Sequence, residues 1–147
     1  MKRQHSEKGA ALVELAIVIP VLLLILTAIA EYGLLFRTFE ITTNAVREGA
    51  RLGALPGNEL NDYEVVRARV ESYLADAQLP GNHTIAVAPE AIAIGGLAAN
   101  GVRVTVTYTY DTVFLGLAAS LMNGSFTDSV TYQSTALMRV QVAAVGP

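Results

Sequence analysis

The chain has 147 residues, 52% of them hydrophobic, with a mean hydropathy of +0.43; this is enough for one small domain plus an anchor and too apolar for wholesale disorder. Its net charge of −3 is unevenly spread: Lys2, Arg3 and Lys8 against Glu7 leave the first nine residues at +2, while seven arginines against twelve acids leave the remainder at −5, a balance that argues against a nucleic-acid partner. The absence of cysteine excludes disulfides, thiolate nucleophiles and cysteine-held metal or cluster sites.

In chain order, residues 1–9 form a polar leader. Ala10 to Ala30 follows as an apolar run of 21 residues whose one ionisable member is Glu14. As an α-helix that run measures about 32 Å, sufficient to cross the hydrocarbon core of a bilayer. A basic tip before an apolar span predicts a cytoplasmic N-terminus and an exported C-terminal part. Pro20 lies inside the run and withdraws a backbone donor from the carbonyl of Ala16, giving either a mild kink or a point of local unwinding on packing into a filament.

The helical pattern continues past Glu31 to about residue 54. Arg37, Glu40, Asn44, Arg47, Glu48 and Arg51 recur at steps of three and four as a polar stripe, with Leu35, Phe39, Val46, Ala50 and Gly53 on another side. Gly49 and Gly53 form a G-x-x-x-G whose place beyond the apolar run points to close approach of a sheet or helix rather than to a lipid-embedded dimer. Arg47, Glu48 and Arg51 read either as a solvated face with a Glu48–Arg51 pair or as an inter-subunit contact. Residues 55–62, with Pro56-Gly57, break the helix.

A shorter helix is expected from Tyr63 to Gln78, started by Asn61 or Asp62 and burying Val66, Val70, Tyr73, Leu74 and Ala77. Pro80-Gly81-Asn82 then turns the chain, with His83 solvated in that turn. Thr84 to Ala88 reads as a short strand, and Glu90 to Ile94 as another or as an irregular edge. Gly95-Gly96 and Asn100-Gly101 are turn signals, the second suited to head a hairpin. Val102 to Tyr110 alternates apolar residues with Arg103, Thr105, Thr107 and Thr109, a strand with one wet face in an antiparallel sheet. Phe114 to Met122 is apolar, a short helix or covering loop. Asn123-Gly124 turns, and Val130 to Val142 supplies the last strand. The fold class is therefore α+β: a long N-terminal helix, membrane-spanning in its first half, with a small antiparallel sheet and a second short helix packed on its outer half. The expected organisation is a leader (1–9), a transmembrane helix (10–30), its extension (31–54) and an exported α+β domain (55–147).

No catalytic constellation is assembled by these residues. His5 belongs to the leader and leaves His83 as the one exported histidine, and no phosphate loop, HExxH or GxSxG occurs. The sequence predicts no enzyme, no metal and no cofactor. The pair that stands out is Gly9 and Glu14. A cut after Gly9 makes Ala10 the first residue and Glu14 the fifth, where a carboxylate can meet the new α-amino group of a neighbouring copy.

Gly9-Ala10-Ala11-Leu12-Val13-Glu14-Leu15 running into Pro20, Glu31-Tyr32-Gly33, and Thr43-Asn44-Ala45-Val46-Arg47-Glu48-Gly49-Ala50-Arg51 resemble the TadE-like family of pseudopilins, minor pilin-related subunits of bacterial Tad (Flp) pilus systems. The resemblance covers about the first third of the chain. It implies membrane insertion, cleavage by a prepilin peptidase at Gly9–Ala10, an assembly role for Glu14, and partners among other pilin subunits, the inner-membrane assembly machinery and membrane lipid. The implied location is single-pass in the inner membrane, with the C-terminal domain periplasmic or extracellular. Larger relatives add a von Willebrand-type domain with a metal site; this chain is too short for one, so none is implied. Two rivals remain from the residues alone. Ala28-Ile29-Ala30 before Glu31 resembles a signal-peptidase site and would release a secreted binding domain. Alternatively the chain stays uncut as a bitopic scaffold.

Overall fold

The computed structural model describes residues 3–55, 63–79, 82–114 and 129–141. Five elements follow one another: α1 (Arg3–Gly53), α2 (Tyr63–Asp76), β1 (His83–Ile94), β2 (Leu97–Asp111) and β3 (Ser129–Arg139). The chain divides into two compact units, Met1–Leu35 with Asp111–Asp128, and Phe36–Tyr110 with Ser129–Pro147. The expected breaks at Pro56-Gly57 and Asn123-Gly124, the caps Asn61 and Asp62, and the segment 115–122 lie outside the described residues.

In the first unit α1 begins at Arg3, within the basic N-terminal stretch, and stays helical through Pro20. Leu12, Val13, Ile17, Leu22, Leu26 and Ile29 are each more than half exposed, so these side chains are not part of a buried core. Its composition and length are those of a membrane-crossing helix, with a mean hydropathy of 2.8 over its most apolar window.

The second unit is an α+β domain with the helices packed on the sheet. The sheet has order β1-β2-β3. Strands β1 and β2 form an antiparallel hairpin from His83↔Tyr108 to Ile94↔Leu97. Its two-residue loop is Gly95-Gly96, with φ of +58° and +86°, the positive values that a type I′ turn requires at both central positions. The alternative hairpin head, Asn100-Gly101, instead sits within β2. There Gly101 is buried, and a Cβ on it would lie 2.4 Å from Ile92 Cδ1, so glycine serves close approach rather than a turn. β1 is one strand of 12 residues rather than two short pieces; Pro89 interrupts nothing because β1 is an edge strand.

The inner face of β2 presents Val102, Val104 and Val106 to Ala45, Val46 and Ala50 of α1 and to Val66, Val70 and Leu74 of α2, forming one buried cluster. Tyr73, Ile85, Val87, Ala136 and Met138 pack around it. The outer face is held by hydroxyl pairs, Thr105 with Thr135 at 3.1 Å and Thr109 with Thr131 at 3.0 Å. Helix α2 ends at Asp76, short of Gln78, which takes φ +57° while the amide of Leu79 donates to the carbonyl of Leu74. This is a left-handed helix terminus built on a non-glycine residue.

Candidate functional site

The residues singled out at the N-terminus share one accessible helical stretch. Gly9 and Ala10 are exposed, and nothing lies within 4 Å of a Cβ built on Gly9. Glu14 is exposed and has no hydrogen-bond or ionic partner among the described residues. A carboxylate on an apolar helix with no internal partner is costly in lipid unless another molecule supplies a cation or donors. Pro20 leaves the helix continuous.

The first unit holds a contact that sequence reading missed. Glu31 is 4% exposed, and its carboxylate accepts the backbone N–H of Val113, at 2.9 Å, and of Phe114. Charge-assisted bonds of this kind are the strong ones, and two of them fix the Val113–Phe114 backbone to the helix just where the apolar run ends. No local signal announces the pair, because 82 residues separate Glu31 from Val113. The one hint was the placement of an acid immediately after the apolar run.

In the second unit the candidate residues separate by role. Gly49 and Gly53 are buried: a Cβ on Gly49 would stand 2.4 Å from Val70 Cγ2, and one on Gly53 3.0 Å from Val102 Cγ1. They allow α2 and β2 of the same chain to approach α1. Glu48 accepts two hydrogen bonds from Arg51, both at 3.0 Å, and one from Arg69 of α2 at 3.2 Å. The Arg51 guanidinium beside it, aided by Arg69, holds the Glu48 carboxyl below its ordinary range and raises Arg51 in turn. Arg47 is exposed and has no partner among the described residues.

His83 corrects the sequence reading. It is the first residue of β1 rather than a solvated turn residue, and its side chain is 7% exposed. Its Nε2 lies 3.0 Å from a carboxylate oxygen of Glu71 on α2, and its buried Nδ1 finds no partner among the described residues. The shallow hollow beside it, lined by Asn82, His83, Thr84, Thr107 and Thr109, brings together no acid–base–nucleophile set. Buried hydroxyls form a further group: Thr42 donates to the carbonyls of Thr38 and Phe39 and meets Ser134 at 3.3 Å, beneath the edge contact of Phe39 with Tyr132. Among the described residues no group of His, Asp and Glu side chains is placed to hold a metal ion.

Among the described residues one apolar helix is long enough to cross a membrane, and it continues into the α+β domain, which defines the class: a small domain with a membrane-type anchor. Residues 9–51 match the model of the family described as TadE-like protein, the stretch on which the sequence resemblance rests. No curated protein and no solved structure matches the chain. The family match and the helix together fit a membrane protein associated with Tad pili.

Proposed function

We propose that the chain is a membrane-anchored pseudopilin that takes part in Tad-type pilus assembly. A prepilin peptidase cuts it after Gly9, and Glu14 of the mature subunit accepts a charge-assisted hydrogen bond from the α-ammonium group of a neighbouring pilin or pseudopilin. The span from Ala10 to Ala30 holds the subunit in the inner membrane, with the basic leader cytoplasmic and the α+β domain exported. The observation that carries this reading is Glu14: an exposed carboxylate without an internal partner, set in an apolar helix inside the TadE-like match.

The chemistry makes the pair a register check. In low dielectric an ion pair is favourable only when both members are present and well placed. A subunit docked one residue out of step leaves a carboxylate and an ammonium both unpaired, each costly.

The rival cut after Ala30 is disfavoured by the local structure. Ala28-Ile29-Ala30 lies within unbroken helix, and the next residue, Glu31, is engaged through its side chain. N-terminal mass spectrometry of protein extracted from membranes tests the choice. Ala10 at the terminus supports the proposal, Glu31 supports the secreted domain, and an intact leader supports the bitopic scaffold. Glu14→Ala is expected to leave cleavage intact and to abolish assembly; normal pili from that variant would remove the pairing mechanism.

A further inference from the structure

We propose that the Val113–Phe114 tip, pinned by Glu31, is a second membrane contact, seated at the glycerol–acyl boundary of the outer side of the bilayer that α1 crosses. The inference rests on the reading of residues 10–30 as a transmembrane span.

The argument begins with depth. Between Ala10 and Ala30 the sole ionisable side chain is Glu14, so Glu31 is the first charge after about 32 Å of apolar helix, a length that matches the hydrocarbon core. Glu31 therefore stands at the far boundary of the acyl region. A carboxylate at that depth needs donors, and the backbone N–H groups of Val113 and Phe114 are among those it has. The constraint is mutual. The bonds that satisfy Glu31 also hold the backbone of Val113 and Phe114 at the same depth.

Exposed apolar side chains flank that contact among the described residues, and the exposed acid Asp111 stands two residues before it, on the side toward β2. Val113 is 59% exposed, and on the adjoining turns of α1 Ile29 is 64% and Tyr32 68% exposed. An exposed apolar group of this kind marks a contact surface, and a tyrosine with an apolar body and a polar tip is suited to a bilayer interface. Ile29 belongs to the apolar run itself and Tyr32 follows its last residue by two, so lipid is the occupant that requires no further partner. The sequence that follows, 115–122, contains no charged side chain that would oppose such a position.

The chain has no tryptophan, so a single introduced indole reports one place. The full chain is reconstituted in phosphatidylcholine vesicles as Val113→Trp and, separately, as Leu22→Trp, with lipids brominated either near the glycerol or near the acyl terminus. The expected result is that the indole at 113 is blue-shifted and quenched more by the shallow label, and the indole at 22 more by the deep one. Adding Glu31→Ala, or the isosteric Glu31→Gln, to the Val113→Trp chain is expected to reduce shallow quenching and shift the emission to the red, while the same changes leave the indole at 22 quenched. An unquenched, red-shifted indole at 113 alongside a quenched indole at 22 overturns the inference and leaves the span intact. A blue-shifted but unquenched indole at 113 overturns it in favour of a second copy of the chain covering the tip. Unchanged quenching in both Glu31 variants overturns the pinning role. Absence of quenching at both positions removes the transmembrane reading and the inference with it.

Discussion

Gly49 shows how much a single missing atom can decide. Alanine normally exceeds glycine as a helix former by about 1 kcal/mol, so Gly49→Ala in an isolated helix would stabilise. Here the added Cβ would arrive 2.4 Å from Val70 Cγ2, and valine is stiff at χ1 and short, so it cannot swing aside. Overpacking then dominates, and the expected outcome is a loss of about 1–3 kcal/mol, read as a lowered urea midpoint in detergent-solubilised protein. Val70→Ala removes the obstructing methyl groups, so Gly49→Ala is expected to cost far less in that background. The two changes are therefore strongly non-additive. Gly49→Ala raising the midpoint would show that α1 and α2 are not in this contact. The same positions explain a limit of sequence reading: the G-x-x-x-G spacing shows that something approaches closely, but only the fold shows that the approaching atoms are Val70 and Val102 of the same chain.

The elements carry two further expectations. Helix α2 terminates on Gln78 at φ +57°, a conformation that costs a side-chain-bearing residue about 1–2 kcal/mol and glycine little. Gln78→Gly is therefore expected to stabilise by about 0.5–1 kcal/mol after the added freedom of the unfolded glycine is counted; an unchanged or lower midpoint would contradict the left-handed terminus. Acid is expected to act in the opposite direction. The Arg51 and Arg69 groups hold Glu48 below its ordinary 4.5, and Arg103 does the same for Glu90 across the hairpin. Carboxyls depressed in the folded state contribute stability that is fully present above their unfolded value and is lost as pH falls through the folded values. The urea midpoint should thus hold from neutral pH down to about 4.5 and drop below it, and the drop should shrink in Arg51→Ala and in Arg103→Ala. A midpoint equally acid-sensitive in those variants would mean other carboxyls carry the effect. At this scale the periodic elements were legible: the 3.6-residue pattern marks α2, and the strict alternation of Val102 to Tyr110 marks the centre of β2. Turn placement was not, because Gly95-Gly96 and Asn100-Gly101 are both good turn sequences. The choice between them is made by a 12-residue register with β1 that local residues do not encode.

For the whole molecule, the legible part of the candidate site is the part that is local in sequence. Gly9, Glu14 and the apolar run sit within 22 residues and announce themselves through composition. Glu31 and His83 do not, since their partners, Val113 and Glu71, are brought to them by the fold. Orientation belongs to the local kind and yields the last prediction. Lys2, Arg3 and Lys8 precede the span and Arg37 is the first cation after it, so the flanking basic charge favours a cytoplasmic N-terminus. The chain is helical from Arg3, which keeps Lys8 close to Ala10 and inside the zone where basic residues govern insertion. Replacing Lys2, Arg3 and Lys8 together by glutamine leaves Glu7 as the one Asp, Glu, Lys or Arg side chain before the span and reverses the bias, because Arg37 and Arg47 then carry the nearest basic side chains. A C-terminal epitope on the parent chain should be fully digested by protease added to spheroplasts. In the triple variant a substantial fraction should become protected, because inversion of the span carries the epitope to the opposite face of the membrane. Partial inversion fits a helix inserted by its flanking charge. Full accessibility in the triple variant would mean that the C-terminal domain, not the basic N-terminal residues, determines which way the chain enters the membrane.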